Sequence, residues 1–310
     1  MGTASHLMRG SGLLKTALGF AVFFSLPASA ADWSDTYFGW RYGTDFRESY
    51  VNKPDGSAQD ISKNILNFQH TSGYKYGVNF FNVDLLMSND KDPASCPNFN
   101  CTGSAQEAYV VYRSHLEWSK IFSDHAVNMS TIKDFALTLG FDWNTKNDAG
   151  YNSKKRMLVW GPTAEFNVPG YLNVGIYGLN ESNAPCTTFP PQYVGFPPSG
   201  CYPRYHYDLH PMLSSSWAIP IGHWPLSYEG YFNWIAPKGT NEFGGPTSTE
   251  THWDSELMLD VGSVLGGPKA TFKVGFEYEY WRNKFGNDHT GPAGPGAFAK
   301  TPMIRAEYHF

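Results

Sequence analysis

The chain ends in "MIRAEYHF", where Ile304, Ala306, Tyr308 and Phe310 fall on one parity and Met303, Arg305, Glu307 and His309 on the other. A period of two predicts a β-strand with one apolar and one polar face. The pattern recurs along the sequence. "FALTLGFDWN" sets Phe135, Leu137, Leu139, Phe141 and Trp143 against Ala136, Thr138, Gly140, Asp142 and Asn144. "TYFGWRY", "NFFNVDLLMS", "LSYEGYFNW" and "TFKVGFEYEY" alternate in the same way, and weaker alternation covers 61–72, 105–116, 157–168, 171–181, 205–218 and 252–264. With the C-terminal segment this makes about twelve strands, near the roughly 9–11 residues that a tilted membrane strand needs.

The connections carry a second pattern. From the second strand onward they run short and long in turn. "SGYKYG", "VPG", "PIGHWP" and "GSVLGGPK" are the short ones, and 89–104, 145–156, 183–204, 237–251 and 283–300 are the long ones. Residues 117–134 break the rule, being long where a short turn is due. Short periplasmic turns and long outer loops mark an outer-membrane barrel. The expected fold is therefore all-β, a transmembrane antiparallel up-and-down barrel of about 12 strands. Its last strand must pair with its first, because lipid offers no partner to an open edge. Phe310, on the lipid-facing parity, is the expected signal for the barrel-assembly machinery. A secreted sandwich or lipocalin-like barrel would also have one wet face, but it accounts less well for the alternating loop lengths.

The N-terminus sets the compartment. Arg9 and Lys15 precede an apolar run from Thr16 to Leu26, followed by Pro27 and the small residues Ala28-Ser29-Ala30. This reads as a secretory signal peptide over 1–30, cleaved after Ala30, with the barrel domain spanning 31–310. The apolar run is too short for a spanning helix of about 20 residues. Composition agrees with export into a membrane. Charged residues are 16% and aromatics 16% of the chain, where about 25% charged is usual for a soluble domain. Yet the mean hydropathy is −0.39, as expected when a lipid face is balanced by a wet lumen. Removing 1–30 leaves 21 basic against 28 acidic residues, a balance unsuited to nucleic-acid binding.

Four cysteines in an exported chain can form disulfides. Cys96 and Cys101 lie in one expected outer loop, Cys186 and Cys201 in another. Of three possible pairings, the two local ones each close a single loop. Zinc spacing is not present.

Inward parity collects the candidate pore-lining residues. The bases are Arg41, Arg113, Lys273 and Arg305. Among the acids are Asp84, Glu107, Asp142, Glu165, Asp208, Glu229, Asp254, Glu256, Asp260, Glu277, Glu279 and Glu307. Tyr37, Phe80, Tyr109, Tyr177 and Tyr231 share that parity. A polar lumen is general to porins, and charge pairs can plug a barrel of this size. Aromatic faces beside carboxylates suit a flat solute with hydroxyl or amino groups, and an acidic wall disfavours anions. One cluster suggests an enzyme instead. "HYDLH" would place His206, Asp208 and His210 on one inward strand face, where a metal or acid–base group could form.

The stretches "DISKNIL", "SGYKYGVNFFNVDLL", "GFDWNTKNDAGYNSKKRMLVWGPT" and "YWRNKFGNDHTGPAGPGAFAKTPMIRAEYHF" resemble proteobacterial outer-envelope proteins grouped with the nucleoside-specific channel-forming (Tsx-like) proteins. The resemblance spans about Asp32 to Phe310. It implies a twelve-stranded monomeric barrel in the Gram-negative outer membrane that passes nucleosides by diffusion, without a cofactor. An outer-membrane barrel enzyme of lipase or protease type, and a plugged structural or adhesive barrel, are the rival expectations.

Overall fold

In each long alternating segment one parity meets lipid or solvent and the other meets the interior, so the sequence period sets the direction of every wall side chain. The computed structural model describes residues 31–94, 103–122, 127, 129–187 and 199–310. Twelve long strands follow one another: β1 Trp33–Phe46, β2 Ile61–Tyr74, β3 Gly77–Ser88, β4 Gln106–Glu117, β5 Ile132–Lys146, β6 Lys154–Phe166, β7 Tyr171–Asn183, β8 His210–Pro220, β9 Leu226–Ile235, β10 Glu250–Asp260, β11 Phe272–Arg282 and β12 Phe298–His309. Each is antiparallel to its sequence neighbour. β12 returns to β1, with Tyr37 opposite His309 and Arg41 opposite Arg305. The sheet is thus a closed twelve-stranded barrel with both strand termini at one end, which removes the open edges that lipid could not satisfy.

At that end the connections are 75–76, 118–131, 167–170, 221–225 and 261–271. The long one starts with a helical turn, Trp118–Ile121, where Asp134 accepts from the Ser119 amide at 3.2 Å. At the other end, 184–209 is the longest connection. The expected long loop at 145–156 shrinks to 147–153, because β5 and β6 run further than the alternation suggested.

The outward parity of β5 is exposed throughout, from Phe135 at 40% to Trp143 at 51%, while Thr138 and Asn144 on the other parity are buried. Leu66, Leu85, Leu158, Ile176, Leu257, Phe276 and Ile304 continue the exposed apolar belt on other strands. So much contiguous apolar surface has no place in water. Phe310 lies on the same outer face, 67% exposed, its ring stacked on Phe38 at 5.7 Å and its amide bonded to the Thr36 carbonyl. Inside, two small apolar clusters pack in the lumen. One joins Phe46, Ile61, Ile65 and Met303, the other Val159, Tyr177, Leu179 and Met212. Among the described residues no helix is long and apolar enough to cross a membrane.

Candidate functional site

Strand register assembles the lumen before any side chain chooses a partner. Glu229 on β9 stands opposite Glu256 on β10, which stands opposite Glu277 on β11. Two residues toward the loop end, Tyr231, Asp254 and Glu279 form a parallel row on the same strands. Like charges directly opposed on neighbouring strands are destabilising, so these rows need cations.

Two arginines supply them to the first row. Arg305 of β12 donates to Glu307 at 2.6 Å, to Glu256 at 2.7 Å, to Glu277 at 2.9 Å and to the Tyr37 hydroxyl at 2.7 Å. Arg41 of β1 reaches Glu277 at 2.9 Å and Asp84 of β3 at 2.5 Å. Asn67 also donates to Asp84, at 2.6 Å. Seven of the residues expected from parity thus form one network: Tyr37, Arg41, Asp84, Glu256, Glu277, Arg305 and Glu307. Gly275 stands opposite Arg305 with Met258 packed over it, where a Cβ would come 2.3 Å from the Met258 sulfur.

A second group lines β4 and β5. Arg113 is bonded to Asp142, Tyr109 donates to Asp142 at 3.4 Å, and Asn144 donates to Glu107 at 2.5 Å. Phe80 lies opposite Arg113 in the β3–β4 register and is half-buried. Tyr177 is spent on packing, its hydroxyl bonded to Thr163 at 2.8 Å. Glu229 takes Lys273 at 3.1 Å. A third group holds Tyr231, His252, Asp254 and Glu279. The His252 Nε2 is 3.4 Å from Glu279, and its ring is stacked on Trp281 at 4.0 Å.

Toward the loop end the lumen carries lysines that the parity reading missed. Lys63 of β2, Lys146 of β5 and Lys284 of the 283–297 loop converge on Glu48 at 2.5, 3.5 and 3.5 Å. Burial raises the Glu48 carboxyl, but Lys146, Lys284 and Lys63 together hold it well below the usual carboxylate range. Lys155 and Lys238 approach Glu181 at 3.6 and 2.6 Å, and Lys155 also lies 3.6 Å from the centre of the Phe285 ring. The sequence had offered the lumen as an acidic wall. It is instead layered, with lysine-bearing clusters near the loops and paired carboxylates beneath. Lys63, Lys146 and Lys155 sit on the inward parity at strand ends, and that position is the signal that could have found them.

Two expected placements do not hold. His206, Asp208 and His210 share no strand face. His206 and Asp208 are exposed, His210 is buried at the start of β8, and its Nδ1 meets the Asp208 carbonyl at 2.8 Å. The Asp208 amide is bonded to the Lys238 carbonyl and the Tyr207 hydroxyl to Glu242, so the chain leaves the sheet there. Asp260, the last residue of β10, is not spent on the lumen either, because its carboxylate caps the turn Val261–Val264 by accepting from the Ser263 amide. Of the cysteines, Cys186 and Cys201 form a disulfide across the 184–209 loop, while Cys96 and Cys101 lie outside the described residues.

A cavity of about 70 Å³ remains between the second and third groups, bordered by Tyr109, Arg113, Lys155, Lys238, His252 and Trp281. That is far below the roughly 300 Å³ of even a small ligand pocket.

No protein-family model matches the chain. No curated protein matches it either. Solved structures similar to it include the translocator domain of the autotransporter NalP from Neisseria meningitidis, at 10% identity and a TM-score of 0.44, covering 91% of this chain and 90% of that one. The β domain of the Bordetella autotransporter BrkA has 10% identity and a TM-score of 0.35, covering 89% and 98%. OccK9 of Pseudomonas aeruginosa has 10% identity and a TM-score of 0.28, covering 89% and 97%. Likeness of this degree carries no argument about activity.

Proposed function

We propose that the chain is a monomeric outer-membrane channel for passive diffusion of small, near-neutral solutes, with nucleosides as the first class to test. The observation that supports this reading is a closed barrel with an apolar belt outside and a hydrogen-bonded, charged lumen inside. The resemblance to Tsx-like proteins adds the solute class. Export by the 1–30 signal peptide, insertion through the barrel-assembly machinery, contact with outer-membrane lipid and operation without a cofactor complete the proposal. Tyr109 and Tyr231 offer aromatic faces near the cavity, and the carboxylates beneath accept from hydroxyl or amino groups.

A cavity of about 70 Å³ does not admit a nucleoside at rest. Passage therefore needs groups that border it, such as Lys238 and Phe285 of the loops, to move aside.

The test is single-channel conductance of purified barrel in a planar bilayer. Nucleosides should block the current at sub-millimolar to millimolar concentration, equivalent to about 4–8 kcal/mol. Tyr109→Ala and Tyr231→Ala should each weaken block by about 1–3 kcal/mol if bases stack there. Ion conductance without nucleoside block would leave a porin of different selectivity. Absence of conductance would leave a plugged structural barrel.

A further inference from the structure

We propose that His252, Asp254 and Glu279 form a binding site in the lumen for one divalent cation of the zinc class. Their ligand atoms lie within 4.8 Å of one another. Register makes the group: Asp254 and Glu279 are directly opposed across β10 and β11, and His252 is two residues along β10 on the same face.

Cation affinity follows from what these side chains lack. Asp254 is 3% exposed and its Oδ1 finds no hydrogen-bond donor among the described residues; Glu279 is 8% exposed and its Oε1 is equally without one. The adjoining carboxylates are different, since Glu256 and Glu277 are claimed by Arg305, and Glu277 by Arg41 as well. Burying a carboxylate without a partner costs several kcal/mol. Asp254 and Glu279, each with one buried oxygen left without a donor and the latter 3.4 Å from the His252 Nε2, are compensated by one ion of charge +2.

The imidazole is held ready for a metal. On one side its ring is stacked on Trp281, with an interplanar angle of 5°, and Trp281 is itself fixed by donation to Glu250 at 2.6 Å. The Tyr231 hydroxyl is 3.1 Å from Nε2 and 3.5 Å from Nδ1. Such similar distances to both nitrogens put the hydroxyl over the ring rather than in its plane, so the in-plane lone pair stays free. The 3.4 Å between Nε2 and the Glu279 Oε2 matches the edge of a tetrahedron around an ion with bonds of about 2.1 Å. One nitrogen and two carboxylates suit Zn²⁺ better than Ca²⁺ or Mg²⁺, which prefer all-oxygen shells of six or more.

The test uses the mature barrel purified in detergent, stripped with chelator, and equilibrated with Zn²⁺ alone. Bound metal is counted by atomic emission, and folding is checked by heat-modifiable migration. One Zn²⁺ per barrel is expected. Asp254→Asn should weaken binding at least as much as the roughly 10–100-fold that loss of an outer-shell partner costs. Glu279→Gln should behave alike, and it carries the test if Asp254→Asn fails to fold. His252→Gln should lower the preference for Zn²⁺ over Ca²⁺. Folded parent protein that binds no Zn²⁺, or variants that bind it as tightly as the parent, would overturn the site.

Discussion

Arg305→Met tests the lumenal network at its busiest point. The change keeps an unbranched side chain but deletes four hydrogen bonds of 2.6–2.9 Å, to Glu307, Glu256, Tyr37 and Glu277. Their loss is unequal. Glu277 keeps Arg41 at 2.9 Å and Glu307 keeps His309 at 3.1 Å. Glu256, opposed by Glu229 and Glu277 across the two strand pairs, keeps no cation among the described residues. Stranding one buried charge costs about 3–5 kcal/mol, and the variant should lose that much. Adding Glu256→Gln should return about 0.5–3 kcal/mol of it, the range of coupling between contacting groups. Urea unfolding in lipid vesicles, followed by tryptophan fluorescence, measures both values by linear extrapolation. A loss in Arg305→Met of less than about 1 kcal/mol, in the range of a solvated surface pair, would refute the view that the lumenal ions are desolvated. Additive effects of the two substitutions would refute Glu256 as the group left stranded.

Peptide mapping without reductant should link Cys186 to Cys201, and Cys186→Ser should leave the heat-modifiable barrel intact because the bond closes a loop outside the long strands. Burial pushes the Asp148 carboxyl up to about 6 against the pull of Lys146. A folded value above the unfolded one means stability falls as pH rises from about 4 to 6. Asp148→Asn should therefore stabilise the barrel at pH 7.5 and change it little at pH 3.5, as read by thermal unfolding at both pH values. Deleting Phe310 should reduce the heat-modifiable fraction recovered from membranes, whereas Phe310→Tyr should not.

The strands were legible because a barrel wall enforces period two on every spanning residue. "FALTLGFDWN" could be assigned to its faces without any tertiary knowledge. The ends were less legible, since beyond the lipid belt nothing demands an apolar residue outside. Thus "TK" and "KKR" read as loop although β5 and β6 continue through them, and Lys146 and Lys155 were lost from the lumen. "HYDLH" misled for the opposite reason. Its local alternation is sound, but the Asp208 amide and the Tyr207 hydroxyl find partners in the 236–249 loop, and those bonds draw the chain off the sheet. Which carboxylates lack a cation could not be read at all, because that depends on Arg41 and Arg305 arriving from the far ends of the chain.

The seam between β1 and β12 sets Arg41 directly against Arg305. Judged as two strands alone, it is the wrong alignment. A slip of two residues would bring Arg41 opposite Glu307 and exchange repulsion for attraction, with every side chain still on its proper face. What makes the observed alignment the better one is Glu277, whose two oxygens take one arginine each. The closing strands therefore cannot choose their alignment by themselves. Glu277 of β11 thus ties the joint of the two chain ends to a third strand, and Glu277→Gln should weaken the observed alignment relative to the slipped one.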